Sequence, residues 1–125
     1  GSDLAVVAIG ATVYAAMKAA SALSEEGIGI TVINARFVKP LDEELFCATA
    51  LSLKRVMTIE ENVLPGGFGS AVLELFERKG IRDVTVKRLG IRDEFVEHGT
   101  QQELRRLHGL DEEGITEAVR QMMHE

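Results

Sequence analysis

The sequence predicts a three-layer α/β/α fold with a mainly parallel sheet of four to five strands. Three observations carry this. Short apolar runs alternate with stretches of helical periodicity along all 125 residues, the pattern of strands joined by helical crossovers. The first run, Leu4-Ala5-Val6-Val7-Ala8-Ile9, is continuous rather than alternating, as in a strand covered on both faces. Glycines punctuate the element ends at Gly10, Gly27, Gly80 and Gly109. The length suits one domain with a real core.

Each element follows in order. After the first strand, Thr12 is placed to cap a helix in which Val13, Ala16, Met17, Ala20 and Leu23 recur at helical spacing, and Gly27 closes it. Gly29–Ile33 is β-branched and reads as the second strand. Pro40 and Asp42 begin the next helix, with Glu43 and Glu44 near its positive end and Leu41, Leu45 and Ala48 as its inner face. Arg55–Ile59 is the third strand. Phe68, Val72, Leu75 and Phe76 make the stripe of a helix ending at Gly80. Val84–Leu89 is the fourth strand, whose polar alternation (Thr85 and Lys87 against Val84 and Val86) predicts an edge position with one wet face. A longer irregular segment runs from Gly90 to Gly99. Thr100-Gln101-Gln102-Glu103 is a capping box, with Leu104 and Leu107 facing inward behind it. Asp111 caps a last helix carrying Ile115, Ala118, Val119 and Met122 on one side.

Composition narrows the function classes. The net charge of −6 disfavours nucleic acid and anionic membranes as partners, and the basic pairs (Lys54-Arg55, Lys87-Arg88, Arg105-Arg106) are scattered among acids. No apolar run approaches the ~20 residues that span a bilayer, and no signal peptide is visible. Cys47 is the single cysteine, so no internal disulfide forms and no cysteine cluster can hold metal. A reduced, cytoplasmic setting is expected.

A sheet covered on both faces has a switch point, and functional surface in such folds lies beside it at the carboxyl ends of the strands. The loops after the first strand (Gly10, Ala11, Thr12) and the third (Glu60, Glu61, Asn62) are expected to flank it. The residues there carry little chemistry. A dinucleotide site needs three spaced glycines directly after the first strand, where only Gly10 stands. In the turn after the third strand, Gly67-Phe68-Gly69-Ser70-Ala71-Val72, valine replaces the last glycine. Gly66 and Gly67 are then read as letting the chain turn tightly into its helix, with anion binding at that helix end as the sharper alternative. Glu60 and Glu61 are neighbours on an extended strand end. They point opposite ways and would not share a proton: one faces the crevice and one solvent, unless the pair is simply a polar strand exit. His98, beside Glu97, has the residue types of an oriented base but no serine or cysteine nucleophile nearby in sequence. A solvated or interface histidine is the favoured reading.

Four blocks then carry a resemblance. They are Arg36-Phe37-Val38-Lys39-Pro40-Leu41-Asp42; Glu60-Glu61-Asn62 with Gly66-Gly67-Phe68-Gly69-Ser70-Ala71-Val72; Phe95-Val96-Glu97-His98-Gly99-Thr100-Gln101-Gln102-Glu103-Leu104; and Gly109-Leu110-Asp111 with Gly114-Ile115. In this order they resemble the C-terminal, transketolase C-terminal-like domain of the 1-deoxy-D-xylulose-5-phosphate synthase family. The first two recur more loosely across the transketolase superfamily, so the C-terminal domain of another member is the alternative.

The resemblance implies a thiamine-diphosphate- and Mg²⁺-dependent transferase that condenses pyruvate with glyceraldehyde 3-phosphate. It implies three domains, a homodimer, and a product used in non-mevalonate isoprenoid, thiamine and pyridoxal synthesis. Residues 1–125 would be the assembly domain, inactive alone, with the thiamine-binding domains as partners. It would lack the domain's antiparallel first strand, leaving Ile30 and Val32 on an open edge. The magnesium signature and pyrimidine-domain segments are not in this sequence, so no catalytic, cofactor or metal residue is carried over. The expected interdomain or crevice residues are Glu60, Glu61, Asn62, Gly66, Gly67, Arg92, Glu97 and His98. Two other readings stay open: a small-anion or regulatory-ligand module at the switch point, and an independent enzyme using Glu60 or Glu61 with His98.

Overall fold

The structure, a computed structural model, describes residues 3–10, 12–34, 43–63, 68–91 and 109–124. Within them the chain runs β1 (Leu4–Ala8), α1 (Thr12–Ser24), β2 (Ile30–Asn34), α2 (Glu43–Leu53), β3 (Arg55–Val63), α3 (Phe68–Arg78), β4 (Thr85–Ile91) and α4 (Glu112–Met123). The described strands form one sheet in the order β2-β1-β3-β4, and every pairing is parallel. The expected α/β layering and the edge position of β4 among the described strands are thus found. The switch point lies between β1 and β3, where the chain reverses its direction of travel across the sheet.

Strand alternation divides the core in two. Leu4, Val6, Ala8, Met57 and Ile59 pack on one face with Ala16, Ala19 and Leu23 of α1 and Ile115, Val119 and Met122 of α4. Ala5, Val7 and Val56 pack on the other with Cys47 and Ala50 of α2 and Val72, Leu75 and Phe76 of α3. All five β1 residues are buried, as an unbroken apolar run at the centre of a two-sided sheet requires. Burying each such aliphatic side chain stabilises by roughly 1.5–3 kcal/mol.

Several expectations need correction. In α1 the buried stripe is Thr12, Ala16, Ala19 and Leu23, and Met17 is 58% exposed. In α2 the described inner residues are Cys47 and Ala50, and Ala48 is exposed, while the side chain of the expected inner residue Leu45 falls outside what is described. The cause is the same in both. Each helix is apolar around most of its circumference, so spacing alone does not fix which stripe meets the sheet. The expected inner residues Leu41, Leu104 and Leu107, the Pro40–Asp42 start and the Thr100–Glu103 capping box lie outside the described residues. β3 continues to Val63, so Glu60, Glu61 and Asn62 belong to the strand and not to a loop. It passes a register irregularity between Ile59 and Val63 before Val63 pairs with Ile91.

The helix ends follow their sequence signals. Gly27 (φ +83°) after α1 and Gly80 (φ +72°) after α3 take left-handed backbone, which glycine adopts without a Cβ penalty. The Asp111 carboxyl accepts the Gly114 amide at 2.9 Å and so caps α4.

Candidate functional site

The candidate site grows from the carboxyl ends of β1 and β3. At the β1 end Thr12 is fully buried. Its hydroxyl turns back to the strand, accepting the Ile9 amide at 3.2 Å and donating to the Ile9 carbonyl at 2.6 Å. The Ile9 amide also lies 3.3 Å from the Ile59 carbonyl. These contacts tie the two strand ends together across the switch point.

β3 supplies the polar side chains. Val56, Thr58 and Glu60 alternate onto the face covered by α2 and α3. Glu60 is 0% exposed, and its Oε1 accepts the Gly69 amide of the first turn of α3 at 2.9 Å. The first amides of a helix have no partner within it and carry the positive end of its dipole, so a carboxyl oxygen is well matched there. Hydrogen bonds of this kind contribute about 1.5–3 kcal/mol when the acceptor is charged. Thr58 is buried beside it, opposite Arg88 of β4 in the parallel register. A Cβ built on Gly69 would stand 2.6 Å from Arg88 Nε and 2.9 Å from Thr58 Oγ1. Glycine is therefore needed at this position to let α3 settle onto those two side chains. The Thr58 hydroxyl is buried with no hydrogen-bond partner among the described residues.

This arrangement assigns Glu60 a definite place. It is the member of the Glu60-Glu61 pair that turns inward, toward the helix and away from solvent, so the polar-exit reading does not apply to it. It also occupies the end of α3 that the anion-binding alternative would have used. Glu61 and Asn62 lie on β3, but their side chains fall outside what the structure describes. So do Gly66, Gly67, Arg92, Glu97 and His98, and the juxtaposition of Glu60 or Glu61 with His98 is not among the described contacts. The sequence reading passed over Thr58 and Arg88. An apolar strand interrupted by threonine two residues before a glutamate was the available signal.

Burial pushes the Cys47 thiol above its ordinary value, with the nearby Glu43 acting the same way and Lys79 and Arg78 opposing. Among the described residues no three His, Cys, Asp or Glu side chains gather as metal ligands. No described helix is long and apolar enough to cross a membrane.

The family model for the transketolase C-terminal domain matches residues 1–115. The chain belongs to this family. Among curated relatives it is 58% identical over 124 residues to the 1-deoxy-D-xylulose-5-phosphate synthase of Syntrophus aciditrophicus, covering 99% of this chain and 19% of that protein. It is 55% identical over 123 residues to 1-deoxy-D-xylulose-5-phosphate synthase 1 of Geobacter metallireducens, covering 98% of this chain and 20% of that protein. The chain thus spans about a fifth of the length of the curated relatives it matches. Among solved structures, a transketolase mutant from Pichia stipitis superposes with a TM-score of 0.62 at 18% identity, over 96% of this chain and 16% of that one. A transketolase of the same organism in complex with sedoheptulose 7-phosphate gives the same values, 0.62 and 18%. These two establish the transketolase C-terminal-type fold alone.

Proposed function

We propose that this chain is the C-terminal assembly domain of a 1-deoxy-D-xylulose-5-phosphate synthase. In this reading the whole enzyme is a thiamine-diphosphate- and Mg²⁺-dependent transferase that decarboxylates pyruvate and joins the two-carbon unit to glyceraldehyde 3-phosphate. It acts as a cytoplasmic homodimer feeding isoprenoid and thiamine synthesis. The observation that carries the reading is the 58% identity to a synthase of that name across 99% of this chain.

The domain supplies no catalytic, cofactor or metal residue in this reading, and its partners are the thiamine-binding domains of the same enzyme. Glu60 and the tie between Ile9, Thr12 and Ile59 make the switch-point corner rigid. The corner then presents Glu61, Asn62, Gly66 and Gly67, with Arg92, Glu97 and His98 from the segment after β4, to those domains. The β2 edge has the same logic. β2 is an outer strand of the described sheet and all five of its residues are only half-buried. In the full-length enzyme an antiparallel strand from the preceding polypeptide pairs with it and closes the edge.

The test is turnover. Full-length protein supplied with pyruvate, glyceraldehyde 3-phosphate, thiamine diphosphate and Mg²⁺ is expected to form the five-carbon product, and residues 1–125 alone are expected to form none. A full-length protein that is silent on these substrates, or a fragment that turns over, contradicts the proposal.

A further inference from the structure

We draw no further inference here: the strongest candidate, the polar side-chain cluster of Thr58, Glu60 and Arg88 beneath the first turn of α3, belongs to the site already described, where Glu60 already accepts the Gly69 amide and Gly69 packs directly on Thr58 and Arg88.

Discussion

Glu60 and Thr58 sit two residues apart on one strand, both buried and polar, with opposite consequences. The Glu60 carboxyl has the Gly69 amide 2.9 Å away. Replacing Glu60 with alanine leaves that amide and the space around it uncompensated. Glu60→Ala is expected to lower stability by about 2–3 kcal/mol, seen as a lower urea midpoint with an unchanged slope. Glu60→Gln keeps an acceptor oxygen and should lose about half as much. A Glu60→Ala midpoint equal to wild type would remove Glu60 from its anchoring role. Thr58 is the reverse case, since its buried hydroxyl has no partner among the described residues. Thr58→Val keeps the shape and removes the unmet hydroxyl, so stability should rise by about 1 kcal/mol; a fall would mean the hydroxyl is satisfied after all. Strand alternation, which is local, leads to the expectation that Glu60 and Glu61 point opposite ways. It did not show which one turns inward. That depends on where α3 starts relative to β3, a tertiary distance with no counterpart in residue spacing.

At the level of elements, the strands and α4 were the most legible parts. β1 is an unbroken apolar run, and α4 gathers its charges on the side away from the stripe Ile115, Ala118, Val119 and Met122, all buried as expected. α1 and α2 were legible as helices but not in phase, because alanine and leucine on several sides leave two rotations nearly equivalent in hydrophobic content. The junctions hide a second layer of information. Lys54 takes left-handed backbone at φ +62° between α2 and β3, donating its amide to the Ala50 carbonyl at 2.7 Å and accepting the Thr85 amide at 2.9 Å. A side chain there costs about 1–2 kcal/mol. Lys54→Gly should recover about 0.5–1 kcal/mol of it, the remainder being offset by a looser unfolded chain. No thermal gain in calorimetry would argue against the strain. Gly114 shows the opposite sign. Alanine is the better helix former by about 1 kcal/mol, but a Cβ at this site would stand 2.5 Å from the Gly109 carbonyl carbon and Cα, and closer still to its oxygen. Backbone cannot rotate away as a side chain can, so overlap outweighs propensity. Gly114→Ala should destabilise by about 2 kcal/mol, with circular dichroism showing earlier melting.

For the whole molecule, the clearest long-range polar link joins the turn after α1 to α4, 94 residues apart. Arg120 Nε donates to Glu26 Oε1 at 3.1 Å and Nη2 to Oε2 at 2.6 Å, a two-pronged geometry that a guanidinium favours. α1 and α4 share one face of the sheet, so this pair fastens the last helix over the first layer of the core. Both side chains are open to water, 44% and 42% exposed, which keeps the contribution small and sensitive to salt. Its pH dependence has a definite sign. The hydrogen bond from Arg120 holds the Glu26 carboxyl below its ordinary value of 4.5, and Arg120 is itself held above its own by the same bond, so it stays charged throughout. A carboxyl lowered by folding stabilises in full above its unfolded value, and the contribution is lost as pH falls through the folded one. Comparing wild type with Glu26→Gln by urea unfolding should therefore show a gap at pH 7 that closes as pH drops below 4.5 and narrows with added salt. A gap independent of both would mean that packing at the turn, and not the ion pair, holds α4 to α1.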